Sequence, residues 1–465
     1  MIGEAIRYDS YRDPGGFVFR EKGRIYRAIR APYEPHYRLL RSSGLAASLI
    51  RGRLLVPFDE IDPSNFSAPD IVKILAPREV PFLSYPWEWS FHQLQDAALA
   101  TLRIEREALS RGMTLKDASS LNIQFVDGRP MLIDLLSFER YEAGLPWVGY
   151  RQFCEQFLAP LALASNIDER LLALTQASGG TVPLDLTVRL LGKRGLLKPG
   201  QFLHLHLQSV VQYLARRHPH GAGSLRHALS LKALSGLIMS LERTVASLEP
   251  AHQESDWLGY DPGASSGESY AEEKRATVAG IIHDLAPGTV WDIGCNSGVF
   301  SRMAAAEGAM VVSLDQDHAC VARLYQSLRA EGEQRILPLV LDIACPTPGT
   351  GWMNKEHRPF LERGGCELCL SLALVHHLAI GRNLPFRNII ELFRQHCSYL
   401  LIEYVPKDDP NVALMLKGRI DVFQDYTLKS FESALCDAFL ILKKVQFEHT
   451  GRILYLCRKK VSQFQ

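Results

Sequence analysis

The sequence predicts a two-part chain whose C-terminal half is an α/β domain built on a doubly wound sheet. Three observations predict it. Short apolar runs at 290–293, 309–315, 336–342, 367–372 and 398–403 alternate with stretches of helical spacing. The first run carries Asp292 next to its end, and the second and third end on the carboxylates Asp315 and Asp342. A glycine-rich turn, Gly294-Cys295-Asn296-Ser297-Gly298, joins the first run to a helix-forming stretch from Val299 to Ala306.

The breaker pair Pro287-Gly288 sets the start of the first strand. After it, Gly294 and Gly298 let the backbone turn tightly and approach a ligand, and the free N–H groups of the next helix point back at the turn. The second strand ends on Asp315, 21 residues after Gly294. A carboxylate there suits a ribose, because it accepts from both vicinal hydroxyls, each bond contributing roughly 1.5–3 kcal/mol. The spacing from Gly294 to Gly298 is G-x-x-x-G and not the G-x-G-x-x-G of dinucleotide sites. Cys366-Glu367-Leu368-Cys369 lies in the fourth run; with no second pair at zinc spacing it reads as two strand cysteines. His376 and His377 follow that run, where a histidine either takes a proton from an attacking hydroxyl or shapes a pocket. A helix at 431–439 precedes runs at 441–447 and 452–457, which flank the hairpin turn Glu448-His449-Thr450-Gly451.

The order Asp292, Gly294, Gly298, Asp315, Asp342, closed by a terminal hairpin, resembles class I S-adenosylmethionine (SAM)-dependent methyltransferases over 270–465. The resemblance implies a Rossmann-like, seven-stranded sheet with SAM as cofactor. Asp292, Gly294, Asn296 and Gly298 would then form the turn around the methionine end. Asp315 would hold the ribose, and Asp342, with Ile343 beside it, the adenine. It also implies that His376 and His377 sit at the substrate edge, and that Tyr260, Tyr270 and Lys274, ahead of the first strand, act as a lid.

The N-terminal half predicts an α+β domain. The runs 17–20 and 24–29, split by Glu21-Lys22-Gly23, read as a β-hairpin. A long helix over 91–111 places Leu94, Ala98, Leu102 and Leu109 on one face as core. Then come Asp117, Asn122 and a hairpin that ends in Asp134. This order resembles the catalytic loop and metal-binding strand of protein kinase-like folds. It implies Asp117 as base, and Asn122 and Asp134 as Mg2+ ligands beneath ATP phosphates. Leu115 and Lys116 stand where those folds have His and Arg, Leu135-Leu136 where protein kinases have Phe-Gly, and no glycine-rich loop covers the hairpin. A pseudokinase, or a structural turn in which Asp117 and Asn122 cap local backbone, therefore stands beside the kinase-like reading. From 147 to 248 the pattern is helical. His204 and His206 have no third ligand at metal spacing and read as a helix surface, and Arg216-Arg217-His218-Pro219-His220-Gly221 reads as a polar turn.

Segments 85–91, 115–119, 122–128 and 150–154 lie outside the methyltransferase-like half. With them the whole chain resembles a bacterial family of SAM-dependent methyltransferases related to a nodulation host-specificity protein, the NoeA-like family. At 465 residues the chain predicts an N-terminal domain (1–248), a linker (249–268) centred on Pro262-Gly263-Ala264-Ser265-Ser266-Gly267, and a methyltransferase domain (269–465). The net charge of +1 speaks against bulk nucleic acid as a partner. The lack of a basic-then-apolar N-terminus, the odd count of nine cysteines and the lack of a bilayer-length apolar run predict a cytoplasmic protein with no membrane span. The expected function is methyl transfer to an oxygen of a glycan or small metabolite. The other readings are a protein methyltransferase with an N-terminal docking domain, a bifunctional kinase–methyltransferase, and a non-catalytic SAM-binding regulator or scaffold.

Overall fold

The structure, a computed structural model, describes residues 12–62, 70–217, 230–251, 255, 257, 268–417, 420–448 and 450–460. The chain divides into two compact units: Met1–Gln253 with Pro348–Arg358, and Glu254–Thr347 with Pro359–Gln465. The first unit is thus discontinuous in sequence, which the linear reading of domains did not anticipate. Within it, the Arg358 N–H donates to the Tyr85 hydroxyl at 2.9 Å. The His357 ring stands edge-on to Tyr85 and Trp87 at 5.3 and 5.8 Å.

The first unit opens with β1 (Gly16–Glu21) and β2 (Arg24–Arg30). Their two-residue turn, Lys22-Gly23, has positive φ at both positions, as the right-handed twist of a tight hairpin requires. With β3 (Phe58–Ile61) and β4 (Ile71–Pro77) they form an antiparallel sheet in the order β1-β2-β4-β3. Helix α1 (Phe91–Leu109) starts at a capping box, in which Ser90 Oγ accepts from Gln93 N and Gln93 Oε1 accepts from Ser90 N. Its residues Leu94, Ala98, Leu102 and Leu109 are all buried, as the helical spacing predicts. Two short ribbons follow: β5 (Met113–Leu115) with β8 (Phe138–Arg140), and β6 (Ile123–Val126) with β7 (Arg129–Leu132). The described residues from Tyr150 to Ala246 are mainly helical. His204 is fully buried between the Tyr150 hydroxyl and Ser240 Oγ, each at 2.9 Å, and His206 is buried too. The expected helix surface is therefore wrong for both: the 201–206 stretch turns its polar residues inward and leaves Phe202 and Leu203 outside. Burial lowers the His204 pKa to about 4.

The second unit is a seven-stranded sheet ordered β11-β10-β9-β12-β13-β15-β14. The strands are β9 (Thr289–Ile293), β10 (Met310–Asp315), β11 (Ile336–Val340), β12 (Cys366–Ser371), β13 (Cys397–Tyr404), β14 (Phe439–Gln446) and β15 (Ile453–Lys459). The first five are parallel, and β15 runs antiparallel between β13 and β14. Every expected strand is present within a few residues of its predicted ends. The β11-to-β9 half and the β12-to-β13 half run outward in opposite directions, so a crevice opens at the carboxyl ends of β9 and its neighbours. Among the described residues, no helix is long and apolar enough to cross a membrane.

The N-terminal core contains one titratable group to test. Glu105 on α1 is fully buried and accepts from Leu115 N at 2.6 Å and Thr114 Oγ1 at 2.8 Å. Burial pushes its pKa up to about 8. A raised carboxyl pKa means that the folded state binds the proton more tightly, so stability is greatest below the unfolded value and falls as pH rises toward 8. Denaturant titrations across that range should show this fall, and Glu105→Gln should flatten it. Glu105→Leu should cost about 2–4 kcal/mol by leaving two buried donors without an acceptor.

Candidate functional site

At the carboxyl ends of the parallel strands lies a cavity of about 300 Å³. Of the expected cofactor residues, Gly294, Asn296, Asp315, Asp342 and Ile343 line it, together with His377. The turn after β9 is built from backbone. Gly294 N and Cys295 N both donate to Leu314 O, at 2.8 and 3.1 Å, which locks the turn to the next strand. Gly294 (φ 77°) and Asn296 (φ 47°) are left-handed, so the chain reverses within five residues. Asn296 N then donates to Asp315 Oδ2 at 2.9 Å, and Asp317 N to Asp315 Oδ1 at 3.0 Å. These bonds fix the carboxylate in place while leaving it further lone pairs to accept with. Burial raises the Asp315 pKa, so its charged form gains from any donor that enters the cavity.

Asp342 is held differently. Its Oδ1 accepts from Ala344 N at 2.9 Å, and Arg382 forms an ion pair with Oδ2. Arg382 also donates to Gln316 Oε1 at 3.1 Å, which links the rim of β10 to the rim of β11. Arg382, Gln316, Leu374 and Leu378 line the cavity too, and none was singled out from the sequence. Arg382 lies 40 residues from Asp342 with no local pattern to mark it. Trp257 also lines the cavity; its carbonyl accepts from Asn296 Nδ2 at 3.0 Å and its ring stands edge-on to His377 at 5.3 Å.

Five expected residues are placed elsewhere. Asp292 lies beneath the turn, fully buried, and accepts from Ser301 Oγ at 2.5 Å; Ser301 in turn accepts from Ser313 Oγ at 2.8 Å. It ties β9 to the following helix (Val299–Ala306) and β10, and burial pushes its pKa up to about 6. Gly298 caps that helix at φ 72°, and a Cβ there would lie 2.6 Å from Leu324 Cδ1. Of the histidine pair, His377 lines the cavity and His376 is buried behind it, its Nδ1 without a partner. Burial depresses both pKa values, that of His376 strongly.

The other two are Tyr270 and Lys274. The lid expected of Tyr270 and Lys274 is instead a buried cluster, and Tyr260 lies outside the described residues. Both side chains sit on the helix Glu268–Leu285. Lys274 Nζ pairs with Glu403 Oε2 at 2.6 Å, and the Tyr270 hydroxyl donates to the other oxygen of Glu403. Arg452 donates to the Tyr270 hydroxyl at 3.1 Å and, from Nε, to Asp409 Oδ2 at 2.8 Å. Ala373 N, at the start of the histidine segment, donates to Glu403 Oε2 at 2.8 Å. Burial alone would raise the Glu403 pKa, but Lys274 and Arg452 outweigh it and hold the carboxyl below its usual range.

The kinase-like constellation is also internally committed. Asp134 forms an ion pair with Arg27 and accepts from Ser137 Oγ at 2.6 Å. Asn122 Nδ2 donates to Ser137 Oγ at 3.3 Å, and Asp117 Oδ1 accepts from Gln152 Nε2 at 2.7 Å. A guanidinium on Asp134 occupies the place a divalent cation would need, so the arrangement does not fit Mg2+ on Asn122 and Asp134.

Two stability outcomes follow from this geometry. Lys274→Met should cost about 3–5 kcal/mol in chemical denaturation, because it leaves Glu403 buried without its cation; a lid residue would change ligand affinity and leave stability untouched. Gly298→Ala should cost about 1–3 kcal/mol, read as a lower Tm, from the clash with Leu324 at a left-handed position.

No protein-family model matches the chain. Among solved structures, the fold is similar to the N-methyltransferase NodS of Bradyrhizobium japonicum WM9 with S-adenosyl-L-homocysteine: 14% identity, 44% of this chain, 95% of that one, TM-score 0.33. It is also similar to magnesium protoporphyrin IX methyltransferase (ChlM) of Synechocystis PCC 6803 with bound SAM: 17% identity, 44% of this chain, 88% of that one, TM-score 0.31. In sequence, the chain is 32% identical over 453 residues to the nodulation protein NoeA of Rhizobium meliloti (strain 1021), covering 96% of this chain and 94% of that one. The likeness spans both units, and the chain belongs to the NoeA family.

Proposed function

We propose that the second unit binds SAM at the carboxyl edge of its sheet and transfers the methyl group to an oxygen of a glycan or small metabolite. One observation carries the reading: two carboxylates, Asp315 and Asp342, stand at the ends of adjacent parallel strands and open into one cavity beside a left-handed backbone turn. That donor set fits the cofactor. Asp315, held by two backbone N–H groups, is placed to accept from ribose hydroxyls. Asp342, oriented by Arg382 and Ala344 N, is the acceptor for an amino group. The exposed backbone around Gly294 and Asn296 serves the methionine end. When bound, SAM supplies a methyl group on a sulfonium, so the protein has chiefly to align acceptor and donor.

His377, and not His376, is the proton acceptor in this reading. It faces the cavity, and its lowered pKa keeps it neutral and able to take a proton at pH 7. Ala373, whose N–H is held by Glu403, fixes the start of the segment that carries it. A small polar acceptor suits the chain's near-zero net charge, and the family's tie to nodulation supports a signalling or cell-surface glycan.

Calorimetric titration with S-adenosylhomocysteine tests the cofactor site. Asp315→Ala should weaken binding about ten- to hundredfold, the loss of one or two charge-assisted bonds; unchanged affinity removes Asp315 from the site. Transfer of a labelled methyl group to cell-extract glycans should fall about 10²- to 10⁴-fold in His377→Gln while cofactor affinity is kept. In the wild type the rate should rise with pH through the depressed His377 pKa and be level by neutrality. Binding without transfer to any acceptor would favour a SAM-sensing regulator.

A further inference from the structure

Residues 186–217 of the first unit form a surface unlike the rest of the chain. Its described side chains include Arg189, Lys193, Arg194, Lys198 and Arg217, against one acid, Asp185 on the same first helix, which pairs with Arg189 at 3.3 Å, in a protein whose net charge is +1. Large apolar side chains stand exposed between them. Leu197 is 84% exposed, and Leu203, Leu207, Val210, Val211 and Leu214 are each two-fifths to one-half exposed. They belong to elements that pack against one another: the helix Leu184–Leu191, the turns Gly192–Leu197 and Phe202–Leu207, and the helix Gln208–Arg217. Leu203, Leu207, Val210, Val211 and Leu214 recur at helical spacing, so they share the outer side, while His204 and Leu205 face the core.

We propose that this face seats the protein on an anionic lipid surface, peripherally and without a spanning segment. Exposed leucine and valine with arginine and lysine at their margins is the composition that enters a headgroup boundary: the apolar side chains insert and the cations pair with lipid phosphates. The charge argues against a second copy of the chain. A two-fold interface would set this face against itself, Lys193, Arg194, Lys198 and Arg217 against their own copies, with Asp185 already paired to Arg189. The global balance of +1 hides this field, because acids elsewhere in the chain cancel it.

Sedimentation of the full-length protein with vesicles tests the proposal. Phosphatidylcholine–phosphatidylglycerol vesicles should carry the protein down, phosphatidylcholine alone should do so far less, and added salt should release it. The triple change Lys193→Glu, Arg194→Glu, Lys198→Glu should lower partitioning about a hundredfold or more. Leu197→Ser with Val211→Ser should lower it about tenfold, with the charges intact. An unchanged far-ultraviolet circular dichroism spectrum and Tm in both variants show that they are folded. Protein left in the supernatant with anionic vesicles overturns the proposal. So does a dimer, seen by light scattering, that the two serine changes split while vesicle binding is unmoved.

Discussion

The second unit depends on a set of charges that never reach water. Lys274, Glu403, Arg452 and Asp409 are all buried, two positive and two negative, with the Tyr270 hydroxyl between them. Each charge alone would be strongly disfavoured there; together they balance. The cluster joins the helix ahead of β9, the end of β13, the segment after β13 and the start of β15. Through Ala373 N it also holds the loop that presents His377. Hydrophobic packing alone would let that loop adopt several backbone paths. A directional, fully desolvated carboxylate selects one.

Around this fixed point, four acids with similar sequence settings take different tasks because their surroundings differ. Asp292 is sealed under the turn and serves as a tie between strand and helix. Asp315 keeps free lone pairs and faces the cavity, and Asp342 is steadied by a partly exposed arginine. Glu403 is removed from the cavity altogether and acts on it through a backbone N–H. Strand-end position sets where an acid begins, and local donors set what it does.

Much of this was legible in the sequence. The seven strands follow from apolar runs, breaker pairs and a terminal hairpin, all of which are local signals. Gly294, Asn296, Asp315, Asp342 and Ile343 come from the resemblance to class I SAM-dependent methyltransferases, and all five line the cavity. The errors share the opposite cause. Lys274 finds its partner 129 residues away and Arg382 its partner 40 residues away, and no periodicity records such pairings. His204 and His206 were misplaced because their stretch departs from regular α-helical winding, which shifts the buried side. In the first unit the spacing of Asp117, Asn122 and Asp134 does not reveal that Arg27, 107 residues before Asp134, pairs with that carboxylate, or that Gln152 holds Asp117.

The short return of Pro348–Arg358 into the first unit has a consequence for how this protein can change over generations. Two domains joined end to end are separable by a single recombination event, and each can be shuffled into new company. Here a break near residue 253 would leave the first unit without His357 against Tyr85 and Trp87, and without the Arg358 bond to the Tyr85 hydroxyl. The sequence between β11 and β12 therefore answers to both units at once. A relative that matches 96% of the chain carries both units together.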